Sequence, residues 1–330
     1  MRLSFVIPVY NASLYLMRCL QSIAPILTQG HEAIIVDDGS TDVTPNILKE
    51  FSKSYTSVHV ITQDNQGQSV ARNVGIQHAT GDYIWFLDAD DYLDNPLPDI
   101  LIQTLAEGDS DVVVVGRMEE YKDRSIAMPP LVSCRFTSGI DYFEQANWNA
   151  WYRTQPWDKI VRRTLLMDNK ICFEPGKMFE DMFYCLQLFV AAHKTVQLAI
   201  YPYHYVLYNG GSLTQQVRPV DRDGLIAVEQ ATAYLQNHNV GLKPSDGAFQ
   251  ILIYTFLSSC LLKKYIPLSF KDLEALDMVD LTMKHPLFRR AVSYCAKHPS
   301  IGLQRWGMAL CIWLSPRLSR YVISGILGRK

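Results

Sequence analysis

Four acidic side chains end the segment YIWFLDADDYLDN, residues 83–95, where an apolar run meets Asp88, Asp90, Asp91 and Asp94. Asp88 and Asp90 lie two positions apart at a predicted strand end, so the strand period sends both carboxylates to the same side. Without a partner they would repel each other, and a divalent cation that prefers hard oxygen ligands, Mn²⁺ or Mg²⁺, would remove the repulsion. The alternative is a solvated acidic turn, because Asp and Asn favour turns and helix caps.

Polar residues also follow the first two apolar runs of the chain. Pro8, Tyr10 and Asn11 follow the first run, and DDGSTD, residues 37–42, follows the second. Asp37 or Asp38 could accept hydrogen bonds from a base or a ribose. The same segment could equally form an Asx turn that caps the next helix.

A third polar segment, NQGQSVARN, contains Asn65, Gly67 and Arg72 just before or within a predicted helix. An amide and a guanidinium suit a nucleotide and its diphosphate. A surface salt bridge is the alternative for Arg72.

These groups are brought together by the elements of a parallel sheet. The first 116 residues alternate β-rich runs (LSFVIPVY, EAIIVDDG, VHVIT, DYIWFLD and DVVVVG) with helical patterns, including residues 44–54 and 68–79. Apolar runs with polar ends suit strands that are buried on both faces, and ligands bind at the carboxyl ends of such strands. The polar clusters should therefore converge on one edge. Residues 117–150 are predicted to be an irregular connection, and residues 222–330 to be mostly helical.

The motifs resemble a known family. FVIPVYNASLYLMRCLQSI, IIVDDGSTD, NQGQSVARNVGIQHATGDYIWFLDADD and WDKIVRRTLLMDNKICFEPGKMFEDMFY, in this order, resemble the GT-A type glycosyltransferases of family 2. These bacterial enzymes transfer a sugar from a nucleotide sugar to a growing glycan. The resemblance covers about residues 3–215 and implies an α/β fold, a GT-A (Rossmann-like), mostly parallel sheet flanked by helices.

The resemblance and the residue patterns together predict a division of the chain, with the resemblance confined to its first part. A catalytic domain would span residues 1–220, with a nucleotide-sugar half at 1–116 and an acceptor-side half at 117–220. A mainly helical C-terminal region would span residues 221–330 and end in a basic tail, 281–330.

The resemblance further implies roles for individual residues. Asp37 would read the nucleobase, Asp38 would assist at the nucleoside, and Asp88 and Asp90 would bind Mn²⁺ or Mg²⁺. The residues that contact the nucleotide sugar would be Pro8, Tyr10, Asp37, Asp38, Asn65, Arg72, Asp88 and Ala89. The donor is expected to be a UDP-sugar.

The segment FED, residues 179–181, would supply the general base. We expect Asp181 in this role and Glu180 as the fallback, because adjacent helical residues point about 100° apart and only one can face the acceptor. The alternative is that both are helix-N-terminal acids that interact with the helix dipole. With a base on one side and charge neutralisation on the other, a single displacement would invert the anomeric configuration. The acceptor would be a glycan or lipid-linked saccharide.

By the same resemblance, Trp157 and Lys159 lie where similar enzymes shape the acceptor side, although Trp157 could also be an ordinary core residue. His204 is a possible third metal ligand, but a lone histidine is more often structural. The segment YHYVLYNGGSLT departs from the family pattern, in which an Arg commonly precedes the Gly-Ser. Val206, Leu207 and Tyr208 occupy that stretch here.

The tail carries the positive charge of the chain. After Asp280 there are nine Lys and Arg residues and no acid, together with Trp, Leu and Ile. Residues 301–330 are predicted to lie on an anionic membrane surface, or alternatively to pack on the catalytic domain or form a dimer. Seven scattered cysteines without a CxxC pair favour a reducing compartment, so we expect a cytoplasmic protein, peripheral at the inner face of the plasma membrane.

Other functions fit less well. An Asp-x-Asp phosphatase would place its motif on the first strand, and a dinucleotide-dependent oxidoreductase would have a Gly-rich turn where this chain has PVYNAS. A nucleic-acid role has little support, because the basic residues are confined to the apolar tail. A non-catalytic nucleotide-sugar-binding or scaffold protein of the same fold remains the alternative.

Overall fold

The computed structural model describes residues 1–129, 132–149, 153–177, 179–208, 223–238, 242–243, 245–262 and 273–315. The chain divides into two compact units. The first unit is Met1–Gly139 with Thr154–Thr214, and the second is Ile140–Arg153 with Gln215–Lys330. The domain boundary near residue 220 and the two halves of the catalytic domain stay predictions.

The strands of the described residues all lie in the first unit and form two sheets. They are β1 (Leu3–Val9), β2 (Glu32–Asp37), β3 (Val58–Thr62), β4 (Tyr83–Phe86), β5 (Tyr92–Leu93), β6 (Val112–Val114), β7 (Arg117–Glu120), β8 (Ser125–Met128), β9 (Cys134–Phe136), β10 (Lys159–Arg162), β11 (Thr195–Gln197) and β12 (Tyr203–Val206). The larger sheet has the order β3-β2-β1-β4-β10-β6-β11-β9, and the smaller has the order β5-β12-β7-β8.

The helices of the described residues follow the chain in order. They are α1 (Leu16–Leu27), α2 (Thr44–Ser54), α3 (Gln68–His78), α4 (Asp99–Glu107), α5 (Gly139–Trp148), α6 (Arg163–Asp168), α7 (Glu180–Ala191), α8 (Asp223–Asn237), α9 (Gly247–Leu257), α10 (Leu273–Lys284), α11 (Pro286–Ala296) and α12 (Leu303–Leu314). A π-helical turn, Ser258–Leu262, follows α9, and a 3₁₀ turn, Pro299–Ile301, precedes α12.

The centre of the large sheet is parallel, as the βαβ pattern predicts. β1 pairs in parallel with β2 and β4, and β2 pairs in parallel with β3. Every residue of β1 is buried, because helices cover the sheet. Helix α3 packs very closely on β1: a Cβ added to Gly75 would lie 2.3 Å from Val6 Cγ1. Glycine at position 75 is therefore needed for this close approach.

The fifth predicted strand, β6, belongs to the same sheet but does not lie beside β4. Antiparallel β10 lies between them and pairs with both. This strand comes from a segment more than 40 residues later in the chain, and an insertion of that kind has no local sequence signal.

The prediction that residues 117–150 form an irregular connection was wrong. They contain β7, β8, β9 and α5. Their strands have only three or four residues, and RMEE and SIAM carry charged or small residues on half-exposed faces. Short, partly exposed strands of this composition lack the apolar runs by which buried strands are recognised.

The described part of the second unit is helical, as predicted for residues 222–330. Helices α9 and α11 form its core: α9 is almost entirely apolar and buried, and α11 is amphipathic, with Phe288 and Ala291 fully buried. Within the described residues, no helix has both the length and the hydropathy needed to cross a membrane.

Candidate active site

The centre of the site is the Arg72 guanidinium, which lies at 2% exposure beneath three carboxyl groups. Nη2 donates to Asp88 Oδ1 at 3.0 Å, and Nη1 donates to Asp181 Oδ1 at 3.1 Å. Glu180 Oε1 lies 3.5 Å from Nη1. The guanidinium also lies over the Phe173 ring, with its carbon 5.1 Å from the ring centre. Because Arg72 is buried, the alternative that it forms a surface salt bridge is excluded.

Helix α3 positions Arg72, and the end of β4 positions Asp88. Gln68 Nε2, one helical turn before Arg72, also donates to Asp88 Oδ1, at 3.2 Å. Gly67 precedes the helix with φ +91°, a conformation that glycine adopts without strain. The segment NQGQSVARN therefore delivers two donors to the acidic turn through consecutive turns of one helix.

Asp88 and Asp90 offer a donor set of the kind that Mg²⁺ and Mn²⁺ accept. Burial, followed by the nearby Asp88 carboxylate, raises the pKa of Asp90 to about 6. Both described side-chain contacts of Asp88 are made to Oδ1. Within the described residues, no three metal-ligating side chains converge. Two carboxylates fit a cation that takes its remaining ligands from substrate phosphates and water.

Asp181 and Glu180 begin α7, immediately after Phe179, which has φ +65°. Burial, with further repulsion from Glu180 and Asp88, raises the pKa of Asp181 to about 8 even though Arg72 acts in the opposite direction. Burial also raises the pKa of Glu180. The Asp181 side chain keeps 29% of its surface exposed, against 13% for Glu180. Asp181 therefore has the larger exposed side-chain surface of the two, although its carboxyl group is densely surrounded by protein atoms.

Asp37 and Asp38 are both buried, and each carboxylate accepts hydrogen bonds from within the protein. Asp37 Oδ1 accepts from Ser40 N at 3.0 Å, the Asx turn considered as an alternative. Asp38 accepts from Gln63 Nε2 at 2.7 Å, Gln66 N at 2.9 Å and Gly67 N at 2.8 Å. Asp38 therefore holds the loop that leads into α3.

The other residues predicted to contact the nucleotide occupy different depths. Tyr10, 50% exposed, and Asn65 lie at the surface, whereas Pro8 is buried in β1 and Ala89 is buried in the acidic turn. The loop that carries Asn65 approaches the loop of residues 37–42 closely at Gly39, which has φ +76°. A Cβ at Gly39 would lie 3.0 Å from Asn65 N, so a larger residue would separate the loops.

Trp157 and Lys159 lie in the interior. Trp157, 4% exposed, stacks on Tyr203 and Tyr205 with ring centres 4.4 and 5.4 Å apart. Lys159 has no exposed surface; its Nζ donates to Gln155 O at 2.7 Å and pairs with the neighbouring Asp158. Trp157 therefore packs as a core residue, which was the alternative considered for it from the sequence. The role of both residues toward an acceptor stays a prediction.

His204 makes its contacts away from the Asp-x-Asp pair. Nδ1 lies 2.7 Å from Glu120 Oε1, Nε2 lies 2.8 Å from Asp94 Oδ1, and the ring stacks on Tyr92 with centres 4.3 Å apart. Both ring nitrogens thus face carboxylates. His204 joins β5, β7 and β12 rather than standing as a third ligand beside Asp88 and Asp90.

Sequence reasoning missed residues that hold the acidic turn. Asp91 is 1% exposed and accepts from Tyr203 Oη at 2.7 Å and Val206 N at 2.9 Å, which ties the turn to β12. Arg18 of α1 donates to the carbonyl oxygen of Asp90 at 2.7 Å. The repeated acid in DADD was a signal for Asp91, whereas nothing in the local sequence indicates that Arg18 or Tyr203 reaches this turn.

Comparison with known proteins agrees with this arrangement. Residues 4–179 match the family described as Glycosyl transferase family 2. The chain is 26% identical over 301 residues to EpsH of Bacillus subtilis (strain 168), which is named as a glycosyltransferase; the match covers 90% of this chain and 87% of EpsH. It is 28% identical over 245 residues to the poly(ribitol-phosphate) beta-N-acetylglucosaminyltransferase TarS of Staphylococcus aureus (strain MW2), covering 72% of this chain and 42% of TarS.

A solved structure has the same fold. The crystal structure of S. aureus TarS 1–349 in complex with UDP-GlcNAc matches with a TM-score of 0.71 at 21% identity and covers 96% of this chain and 92% of that one. The predicted GT-A fold class is confirmed. The family match covers residues 4–179, more than half of the chain, and includes the acidic turn and Arg72. This chain therefore belongs to glycosyl transferase family 2 and is a glycosyltransferase, as its motifs predicted.

Proposed function

We propose that this glycosyltransferase is a metal-dependent, inverting enzyme. It transfers a sugar from a UDP-sugar to a hydroxyl group of a glycan or a lipid-linked saccharide in the synthesis of a cell-surface polysaccharide. Asp181 is the general base, with Glu180 as the fallback. Asp88 and Asp90 hold Mn²⁺ or Mg²⁺, and Arg72 supports both ends of the site.

The observation that carries this proposal is the position of Arg72 between Asp88 and Asp181, 3.0 and 3.1 Å from their oxygens. Transfer needs a base at the attacking hydroxyl and positive charge at the departing diphosphate. The buried Arg72 guanidinium contacts both the proposed base, Asp181, and a proposed metal ligand, Asp88. The two halves of the reaction can therefore take place next to each other.

The reaction is a single displacement. The acceptor hydroxyl gives its proton to the Asp181 carboxylate while its oxygen forms a bond to the anomeric carbon. The bond between that carbon and the diphosphate oxygen breaks, and its electron pair leaves with the nucleoside diphosphate. A pKa of about 8 suits this role, because a base is most effective when its pKa lies near the working pH.

Asp88 and Asp90 are the residues that would hold the cation. When bound, the cation neutralises charge on the diphosphate leaving group. Arg72 adds a fixed positive charge next to Asp88. Asp37 and Asp38 remain the proposed contacts of the nucleoside, with Asp38 acting through the loop of residues 63–67 that it holds.

The proposed donor and acceptor class have support from relatives. The solved TarS fragment binds UDP-GlcNAc, and TarS is named as a beta-N-acetylglucosaminyltransferase that acts on poly(ribitol-phosphate). A beta product from an alpha-linked donor requires inversion, which the single displacement provides. We infer the same class of donor and a polymeric or lipid-linked acceptor for this chain.

The test is a panel of nucleotide sugars measured by thermal shift and by donor hydrolysis, with and without Mn²⁺. The wild type is compared with Asp90→Ala, Asp181→Asn and a control, Asp123→Asn, whose side chain is 74% exposed. We expect one donor to stabilise the wild type only with metal. Asp90→Ala should lose this metal effect, whereas Asp181→Asn should keep donor binding and lose turnover.

The outcomes separate the alternatives. If no donor stabilises any variant and Mn²⁺ makes no difference, the chain is a non-catalytic member of its family. If donor binding is equal with and without metal in wild type and Asp90→Ala, transfer does not depend on a cation at this pair. Asp123→Asn should behave as the wild type in every assay.

We also propose that the C-terminal part of the chain contacts an anionic membrane surface on the cytoplasmic side of the plasma membrane. Helix α12 exposes Leu303, Trp313 and Leu314 at 80%, 49% and 67%, while Ala309 and Ile312 on its other side are buried. The sequence after Asp280 is basic and has no acid. Exposed apolar groups beside positive charge fit an anionic lipid surface. Residues 316–330 of the predicted basic tail lie outside the described residues.

Flotation with anionic and with neutral vesicles tests this contact. The wild type should float with anionic vesicles only, and the variant Trp313→Glu/Leu314→Glu should float less. Ile100→Glu, which changes an exposed apolar residue of α4, is the control. Equal flotation of wild type and double variant would refute the membrane contact and leave packing or dimerisation as the role of α12.

A further inference from the structure

Arg18 connects three parts of the first unit at the acidic turn. It lies in α1, and Nη2 donates to the carbonyl oxygen of Asp90 at 2.7 Å. Nη1 donates to Tyr208 Oη, also at 2.7 Å. Tyr208 follows β12, so a single guanidinium joins α1, the acidic turn and the chain after β12.

The Arg18 guanidinium contacts two aromatic rings. Its carbon lies 5.1 Å from the ring centre of Tyr92 and 5.8 Å from that of Tyr208. Tyr92 in turn stacks on His204, whose ring nitrogens lie against carboxylates of Glu120 and Asp94. Cation–π contacts and two charge-assisted hydrogen bonds leave the guanidinium little freedom to reorient.

The acidic turn is held from two sides. Asp91 is tied to β12 through Tyr203 and Val206, and the carbonyl of Asp90 is tied to α1 through Arg18. The orientation of the Asp90 peptide limits where the Asp90 carboxylate can point. Groups that orient a metal ligand affect the affinity for the metal, so the anchor of this peptide should affect metal binding.

We propose that Arg18 is a positioning residue for the Asp90 ligand. It acts through the Asp90 carbonyl and takes its own orientation from Tyr208 and Tyr92. This inference rests on the proposed role of Asp90 as a metal ligand. Arginine suits the task because its planar fork reaches both oxygen acceptors at once, whereas a lysine ammonium on a flexible stem lacks this fixed geometry.

The test measures Mn²⁺ binding to the full chain in the presence of UDP by isothermal titration calorimetry. Arg18→Ala should weaken Mn²⁺ binding about 10- to 100-fold, the range for loss of a partner that orients a metal ligand. Arg18→Lys should restore part of it. Arg124→Ala is the matched control, because Arg124 also lies over a tyrosine, Tyr121, but is 60% exposed in the turn between β7 and β8.

A second variant separates positioning from a general effect on folding. Tyr208→Phe keeps the ring and removes only the hydroxyl group that orients Arg18. It should weaken Mn²⁺ binding in the Arg18 protein by about threefold, a single hydrogen bond, and should have no effect in the Arg18→Ala background. Equal weakening by Tyr208→Phe in both backgrounds would overturn the proposal.

The inference and the proposed function fail in different ways. If Asp90→Ala abolishes Mn²⁺ binding while Arg18→Ala binds Mn²⁺ as the wild type does, Arg18 does not position the ligand. If Asp90→Ala also leaves Mn²⁺ binding unchanged, Asp90 is not a ligand and both statements fall. Weakening by Arg18→Ala, partial rescue by lysine and no change in Arg124→Ala would support the proposal.

Discussion

Removal of the Arg72 charge should move the pH dependence of transfer. Arg72→Gln takes away a guanidinium that is 2% exposed and leaves the carboxyl groups of Asp88, Asp181 and Glu180 without their buried counter-charge. An opposite charge at this range lowers the pKa of a carboxyl group by about 1 to 3. Its loss should therefore raise the pKa of Asp181 from about 8 to roughly 9–11.

The size of the kinetic effect follows from this change. Asp181 accepts a proton only when it is ionised, so activity rises with pH through its pKa. At a fixed pH well below the pKa of Asp181, every increase of one in this pKa lowers the ionised fraction about tenfold. Near neutral pH, kcat/KM of Arg72→Gln should thus fall about 10- to 1000-fold from ionisation alone.

The assay is kcat/KM for donor transfer between about pH 6 and about pH 10 at saturating metal, since this ratio reports the free enzyme. The wild type should rise with a midpoint near pH 8 and approach its plateau above about pH 9, and the rise of Arg72→Gln should lie at higher pH. Arg72→Lys keeps the charge and should show a smaller shift. Circular dichroism and UDP binding check that each variant folds, because breaking a buried ion pair costs about 3–5 kcal/mol.

An unchanged midpoint in a folded Arg72→Gln variant would refute this reasoning. Arg72 would then act on the donor alone, and the Asp181 carboxyl group would not be the group that titrates. The surface variant Arg124→Gln should keep both the midpoint and the plateau of the wild type, because Arg124 is 60% exposed.

Further predictions concern the elements that support the site. Gly75→Ala should destabilise the protein by about 1–3 kcal/mol, because its Cβ would lie 2.3 Å from Val6 Cγ1. At Gly307 in α12, an added Cβ would meet no atom within 4 Å apart from the local helix backbone, so Gly307→Ala should instead stabilise the protein by about 0.5–1 kcal/mol. Urea unfolding of both variants measures the contrast, and equal effects would contradict it. Tyr203→Phe removes the 2.7 Å hydrogen bond to the buried Asp91 and should cost about 1–3 kcal/mol in the same assay. A Tyr203→Phe variant as stable as the wild type would show that Asp91 does not depend on this hydroxyl group.

The sequence by itself predicted the parallel centre of the sheet well. β3 and α2 were predicted with the bounds that the structure has, Val58–Thr62 and Thr44–Ser54. α2 is recognisable from its helical period, and β3 from its β-branched composition. The central strands β1 and β2 are buried on both faces and therefore appear as continuous apolar runs. The Asp-x-Asp motif of Asp88 and Asp90 and the start of α7 at Glu180 are also visible in the sequence, since both depend only on residues that are neighbours along the chain.

Only the tertiary structure decided how these parts meet. Antiparallel β10 enters the sheet beside β4, and the strands β7 and β8 of the smaller sheet are too short and too exposed to be recognised locally. Arg72 meets Asp181 across 109 positions, and Arg18 meets Asp90 across 72. Charge and hydrogen bonding act over a few ångströms in space, whatever the distance along the chain. Motifs can therefore identify the reacting groups, whereas packing decides which arginine side chain lies next to each acidic residue.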